Sequence, residues 1–253
     1  MLEALLAGEV FAFLLVFVRI GAALMVMPGI GDGVVTPRIR LLLGLLIAFL
    51  VTPLLSPSLP PVPDSPLMLA TLVFAEIVVG VMLGLIARLL LTAVDIAGMI
   101  ISFSLSLANA QVFNPAMATQ GSLVGGFLTI LALVLIFLTD LHHLMILAVV
   151  DSYAMFPVGE IPPTGDAADL IARIVSRSFL IGAQISAPFI VIGLIFYLGV
   201  GLIARLMPQV QIFFIAIPVQ IMLGVIVMAL TLSAVMLYWL RQFEDGLIVF
   251  LPP

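Results

Sequence analysis

The chain has 253 residues, of which 64% are hydrophobic and only 8% are charged, whereas a soluble domain carries about 25% charged residues. A water-exposed surface cannot be built from 13 acidic residues, 8 arginines and no lysine. This composition excludes a soluble globular domain, and its hydrophobicity excludes a disordered chain. The net charge of −5 argues against nucleic-acid binding, and the lack of cysteine excludes disulfides, thiolate nucleophiles and cysteine-ligated metals. The composition therefore predicts an integral membrane protein, or one that partner subunits bury almost completely.

Six long apolar stretches predict helices that cross a membrane, because such runs are typical of membrane-spanning helices. The stretches cover roughly residues 10–27, 39–55, 67–94, 121–139, 178–204 and 206–240. The last stretch has 35 residues, enough for a helix of about 52 Å against a hydrocarbon core of about 30 Å. We therefore expect a kink at Pro218, or a part of this helix that lies outside the lipid in a protein assembly.

The pattern of residues 178–240 predicts a helical hairpin. This segment contains one charged residue, Arg205, which Pro208 follows closely. A charge and a proline between two apolar runs indicate the bend between two helices. The preceding residues 151–177 are acidic with two arginines and too few for a soluble domain, so we expect a connector there.

One face of the third stretch carries four residues at successive i+4 positions: Glu76, Gly80, Gly84 and Arg88. Gly80 and Gly84 form a small-xxx-small motif that lets another backbone approach closely. The intramembrane charges, which also include Arg19 and Asp95, must face protein or water because lipid burial is costly. Glu76 is either part of a proton or ion relay, or it belongs to a helix-packing face whose charges are paired with neighbours such as Asp95 or Arg19. In the packing case, Glu76→Gln should be much milder than Gly80→Leu or Gly84→Leu.

The candidates for metal binding or catalysis are weak. His142 and His143 follow Asp140, but adjacent histidines point about 100° apart on a regular helix, which argues against a shared metal. No HExxH motif accompanies them. Ser122 lies in GSLVGG, which lacks the spacing of a nucleophilic serine elbow. We therefore expect no catalytic residue, no metal site and no cofactor.

Residues 102–122 form an uncharged segment that is rich in serine, asparagine, glutamine and threonine, between very apolar stretches. Such a segment is tolerated at membrane depth only where it lines a cavity or is buried in protein. It is either a plug in a pore, where Phe113 and Met117 would form a deformable hydrophobic seal, or an ordinary connector between two helices.

Seven segments together resemble the FliR family, the membrane component of the bacterial flagellar type III export gate. They are FVRIGAALMVMPGIG (17–31), TPRIRLLLGLL (36–46), AEIVVGVMLGLIARLL (75–90), VFNPAMATQG (112–121), LHHLMI (141–146), FPVGE (156–160) and ARLMPQVQIFFIAIPVQIMLG (204–224). Their order and spacing span nearly the whole chain, and the last segment carries most weight. Two features depart from the family: Asp140-Leu141 stand where many relatives have Asn-Gly, and lysine is absent.

The resemblance implies an all-α, polytopic membrane protein of long, kinked helices and helical hairpins. One copy would assemble with the FliP and FliQ subunits into a helical ring in the flagellar basal body of the inner membrane. Residues 1–177 would then resemble FliP, and residues 178–253 would form a hairpin that resembles FliQ. The residues of the family's plug loop correspond to Phe113, Asn114, Pro115 and Met117.

The resulting hypothesis is a non-enzymatic pore component that passes unfolded flagellar subunits across the inner membrane with other export proteins. Energy would come from partners, because the chain has no P-loop. The alternative is a six-span secondary transporter for a small solute, which would usually show repeat symmetry and midplane charges around a binding site. Neither feature is evident here. A third class, intramembrane proteases, is disfavoured because the chain lacks their nucleophile and metal motifs.

Overall fold

The computed structural model describes residues 2–56, 59–107, 122–160, 162–207, 212–248 and 250. Seven α-helices lie within these residues: α1 Leu2–Val26, α2 Pro37–Leu55, α3 Pro66–Ser104, α4 Leu123–Leu138, α5 Leu141–Met155, α6 Thr164–Leu206 and α7 Ile212–Ile248. The same residues contain no β-strand. Five helices are long and apolar enough to cross a membrane, and α4 and α5 together form a sixth candidate as one broken span. The prediction of an all-α polytopic membrane protein is confirmed.

Two helices begin where proline and serine favour a helix start. Pro37 occupies the first turn of α2 and Pro66 that of α3, where the missing N–H of proline costs no helical hydrogen bond. The Ser65 side chain then accepts a hydrogen bond from the Met68 backbone N–H at 3.1 Å, as an N-terminal cap does.

The chain forms two compact units. The first unit comprises Met1–Leu90, Phe137–Val175 and Phe243–Pro253. Its core is formed by apolar side chains of α1, α3 and α5, among them Leu15, Val16, Ile20, Ala23, Val79, Ile86, Met145 and Ala148. Small residues recur at these positions, which lets the helices approach closely.

The second unit comprises Leu91–Ile136 and Ser176–Gln242. Its core contains Ala93, Ala97, Ile101, Leu128, Ala132, Ile136, Ile181, Ile185, Phe189 and Trp239. In this unit α6 and α7 run antiparallel. Arg177 donates to Gln242 at 3.0 Å, and Tyr238 donates to Gln184 at 2.5 Å, so increasing numbers on α6 meet decreasing numbers on α7.

Several helices are longer than the apolar runs that predicted them. Helix α3 continues ten residues beyond the predicted 67–94 because polar side chains near its end have partners: Thr129 donates to Asp95, and Ser104 donates to the Ile100 carbonyl. The expected connector 151–177 instead contains the end of α5 and the charged start of α6. Pro218 lies inside α7, which is unbroken over 37 residues, or about 55 Å. The division of the chain at residue 177 stays a prediction.

Candidate functional site

The first candidate site is a buried ion pair between α1 and α3. Arg19 Nε lies 2.6 Å from Glu76 Oε2, and Arg19 Nη2 lies 2.9 Å from Glu76 Oε1. Neither side chain is exposed to solvent. Two parallel N–H···O bonds between a guanidinium and a carboxylate are a strong, geometrically specific arrangement. The sequence allowed Glu76 to be a relay residue or a charge-paired packing residue, and the structure shows that it is paired with Arg19.

The remaining polar atoms of this pair bind α5 and the turn that follows it. Arg19 Nη1 donates to Ser152 Oγ at 3.3 Å and to the Phe156 carbonyl at 3.0 Å. Glu76 Oε1 also accepts from the Gly159 backbone N–H at 3.1 Å. The guanidinium lies 3.9 Å from the centre of the Tyr153 ring, within the range of a cation–π interaction. Each of the two charges therefore has several partners.

This network raises the cost expected of Glu76→Gln, which the packing interpretation placed well below that of Gly80→Leu. Removing the negative charge leaves the Arg19 guanidinium buried and unneutralised, which typically costs about 3–5 kcal/mol. The sequence offered a paired Glu76 as one of two alternatives and gave no sign that Ser152, Tyr153 and the FPVGE turn take part. The only sequence signal of that turn was its resemblance to the family.

Gly80 and Gly84 lie where α3 crosses α1. A Cβ atom on Gly80 would collide with the Arg19 carbonyl oxygen and lie 2.9 Å from Ala22 Cβ. On Gly84 it would lie 2.6 Å from the Ala23 carbonyl oxygen. Both obstacles include α1 backbone atoms, which cannot move aside as a flexible side chain would. The close helix contact and the ion pair therefore belong to one crossing, because Arg19 contributes its backbone to the first and its side chain to the second.

Arg88 lies in a different environment from Arg19. Its Nη2 is 2.9 Å from Asp32 Oδ1, and its Nη1 donates to the Val26 carbonyl at 3.2 Å. The Arg88 side chain is 45% exposed, so solvent screens this pair. Arg40 completes the arrangement by donating to carbonyl oxygens of the same connector, those of Ile30, Asp32 and Val35. The Gly/Pro connector between α1 and α2 is thus fixed by two arginines.

The second candidate site lies in the second unit, at the two ends of residues 108–121. Ser102, near the end of α3, and Ser122, just before α4, have their Oγ atoms 2.6 Å apart. Ser122 Oγ also donates to the Gly98 carbonyl at 3.0 Å and accepts from the Gly125 N–H at 3.1 Å. A Cβ on Gly98 would collide with the Gly125 backbone. The start of α4 therefore lies against the last turns of α3.

Comparison with known proteins identifies the family. The model of a family described as "Bacterial export proteins, family 1" matches residues 10–246. The chain belongs to this family. A flagellar biosynthetic protein FliR of Caulobacter vibrioides is 42% identical over 244 residues, which cover 96% of the chain and 97% of that protein. The Bacillus subtilis protein of the same name is 31% identical over 229 residues, 88% of the chain and 87% of that protein.

A relative from a second secretion system is less similar. The Yop proteins translocation protein T of Yersinia pestis is 27% identical over 154 residues, covering 60% of the chain and 59% of that protein. The flagellar members of the export protein family thus match more of the chain at higher identity. Family membership and the helices confirm the predicted FliR resemblance and an export component of the bacterial inner membrane and flagellar basal body. The transporter alternative finds no support among these relatives.

Several residues that the sequence singled out lie outside the described residues or away from the Arg19–Glu76 pair. The residues proposed for the plug, Phe113, Asn114, Pro115 and Met117, lie outside the described residues, as does Pro208. Arg205 is exposed in the last turn of α6. Asp95 is exposed and accepts from Thr129 at 3.1 Å, so the structure does not bring it to the Arg19–Glu76 pair.

The histidines lie beside Asp140 at the start of α5. One ligand atom from each of Asp140, His142 and His143 falls within 4.8 Å of the others, and the two imidazole rings are 4.1 Å apart. Side-chain torsions thus bring together ring atoms whose Cβ directions diverge, and the expectation of no metal site stays a prediction. The Asp140 and His143 side chains are 75% and 71% exposed, an environment in which such groups are well solvated.

Proposed function

We propose that the chain is the single-copy FliR-type subunit of a flagellar type III export gate, assembled with FliP-type and FliQ-type subunits. The observation that carries this proposal is the 42% identity to a flagellar biosynthetic protein FliR over 96% of the chain. In this assembly the chain forms part of a pore for unfolded flagellar subunits. It acts as a structural pore component without catalysis, and partner proteins supply the energy.

The exposed surfaces of α6 and α7 support an assembled state. In the apolar stretch of α6 only 17% of the residues are buried within the chain, and in that of α7 only 11% are. Helices of 43 and 37 residues are about 64 and 55 Å long, well beyond a hydrocarbon core of about 30 Å. Lipid can cover only part of this apolar surface, and FliP-type and FliQ-type subunits cover the rest.

Residues 108–121 act as the pore seal in this proposal. The segment is uncharged and contains Phe113 and Met117, side chains that form a deformable apolar seal. On either side of it, the described residues Ser102 and Ser122 are in contact, with their Oγ atoms 2.6 Å apart. This contact supports the proposal because it fixes α3 and the residue that precedes α4 to each other.

Deleting residues 109–118 is expected to make cells that carry the assembled gate leaky to small ions, because the apolar seal is lost. Replacing the same ten residues by glycine and serine should have the same effect at unchanged loop length. The measurement is ion conductance or ion sensitivity, together with co-purification of the gate subunits. Glycine–serine replacement of the connector residues 60–63, which are partly or fully exposed, is the control and should leave permeability unchanged. An assembled deletion variant with normal permeability would contradict the sealing role.

A further inference from the structure

The end of α3 is held by polar side chains from both α6 and α7. Gln220, on α7, donates from Nε2 to the Ser104 carbonyl at 2.6 Å, and its Oε1 accepts from Ser106 Oγ at 2.9 Å. The Tyr197 hydroxyl, on α6, lies 2.8 Å from the same Ser106 Oγ. Tyr197 can therefore donate to Ser106 while Ser106 donates to Gln220. We call Gln220, Ser104, Ser106 and Tyr197 the Gln220 cluster.

The Gln220 cluster supplies a hydrogen-bond donor to a backbone carbonyl at the end of α3 and supports the turn that follows. The last four carbonyls of a helix lack intrahelical donors, and Gln220 supplies one to Ser104. Ser106 has a φ of +58°, a left-handed conformation that is uncommon for residues other than glycine and needs support from its surroundings. Gln220 is only 2% exposed in a strongly apolar helix. Both ends of its amide are used, as burial of a polar group requires.

Two glycines show independently that α6 and α7 make room for this helix end. Gly193 lies one turn before Tyr197 on α6, and Gly224 lies one turn after Gln220 on α7. A Cβ atom on Gly193 would lie 3.0 Å from the Ser104 carbonyl oxygen, and one on Gly224 would lie 2.8 Å from Leu105 Cγ. Each helix thus presents a polar side chain and, one turn away, a position without a side chain to the end of α3.

We propose that Gln220 is a positioning residue for the pore seal, and that the Gln220 cluster fixes the direction in which the chain leaves α3 towards residues 108–121. The inference rests on the proposed sealing function of that segment. The Ser102–Ser122 contact links α3 to the residue that precedes α4, whereas the Gln220 cluster ties Ser104 and Ser106 to α6 and α7. Without the cluster the residues at the end of α3 lose this support while the Ser102–Ser122 contact remains, so we expect a gate that assembles and leaks.

A role limited to helix capping gives a different result. If Gln220 only stabilised the end of α3, its loss would lower the amount of assembled gate and leave the permeability of each assembled gate unchanged. The two roles separate when permeability is divided by the amount of assembled complex.

The test uses cells that carry the complete export apparatus and the variants Gln220→Leu and Ser106→Gly. Glycine adopts a φ of +58° without strain, so Ser106→Gly removes the hydroxyl while keeping the backbone turn. The control is Gln184→Leu, which removes the Gln184–Tyr238 hydrogen bond between the same two helices on an exposed side chain.

Both cluster variants are expected to raise ion permeability per assembled gate several-fold, towards that of the 109–118 deletion, while Gln184→Leu stays at the wild-type value. The double variant should leak no more than either single variant, because both changes break one cluster. If the Gln220→Leu chain does not assemble into the gate, the permeability of the Ser106→Gly variant decides between the positioning role and the capping role. If the Gln220→Leu and Ser106→Gly variants assemble with wild-type permeability while the 109–118 deletion leaks, the inference is overturned and the proposed function stands. Failure of both variants to assemble would assign the cluster to folding and overturn the inference. A non-leaky assembled deletion would overturn the proposed function and the inference with it.

Discussion

Replacing Gly80 by leucine is expected to prevent incorporation of the chain into the export gate. The new side chain would begin with a Cβ atom that collides with the Arg19 carbonyl oxygen, so α1 and α3 would have to separate. Overpacking alone costs about 1–3 kcal/mol, and separation would also stretch the Arg19–Glu76 pair at the same crossing. Gly84→Leu should act in the same way, because a Cβ there lies 2.6 Å from the Ala23 carbonyl oxygen.

Gly126→Leu is the matched control for these variants. Gly126 also lies within a helix, α4, but a Cβ atom on it would meet nothing within 4 Å. The measurement is the amount of each variant that co-purifies with tagged gate subunits, relative to its total level in the membrane. We expect near-normal incorporation for Gly126→Leu and little or none for Gly80→Leu. Equal incorporation of the two would contradict the close crossing of α1 and α3.

Removing one partner of the buried ion pair is expected to be as damaging as forcing α1 and α3 apart at their crossing. Arg19→Met or Glu76→Gln leaves one charge without its main partner in a fully buried site, at a typical cost of about 3–5 kcal/mol. The double variant Arg19→Met/Glu76→Leu removes both charges and should be more abundant than either single variant. Its recovery should be incomplete, because the Phe156 carbonyl loses the Arg19 donor and the Gly159 N–H loses the Glu76 acceptor.

Arg88→Met serves as the control for this prediction, because Arg88 is on the same helix in a pair that solvent screens. Exposed pairs contribute about 0–1 kcal/mol, so this variant should accumulate nearly normally. The measurement is the steady-state level and thermal stability of the purified gate. A Glu76→Gln chain that assembles at the normal level but no longer exports would contradict the structural role and support a relay.

The sequence predicted the main helices because their signal is local. A run of apolar residues specifies a membrane helix without reference to the rest of the chain, and the i+4 stripe from Glu76 to Arg88 lies on one helix. The resemblance of seven segments indicated the family, since their order along the chain is also visible in the sequence. The end of α3 and the start of α6 were misplaced because polar residues there, such as Asp95 and Arg177, pair with side chains of other helices, and hydropathy does not register such pairs.

The partners of the polar residues could not be predicted for a different reason. Arg19 and Glu76 are 57 residues apart, and Ser106 and Gln220 are 114 residues apart. Such pairings depend on how helices pack, so the sequence offered Arg19 only as one candidate partner for the charges around Glu76 and gave no partner for Gln220. Gln220 did carry one visible signal, because a lone amide in a long apolar run needs an internal partner.

Native mass spectrometry of the chain, purified in mild detergent from cells that express all three gate subunits, tests the central claim most directly. We expect one copy of the chain in a stable hetero-oligomer with several FliP-type and FliQ-type subunits. Without those subunits the chain should fall several-fold in level, because the apolar faces of α6 and α7 lose their cover. A stable, equally abundant monomer in both preparations would contradict the assignment of the chain to the export gate.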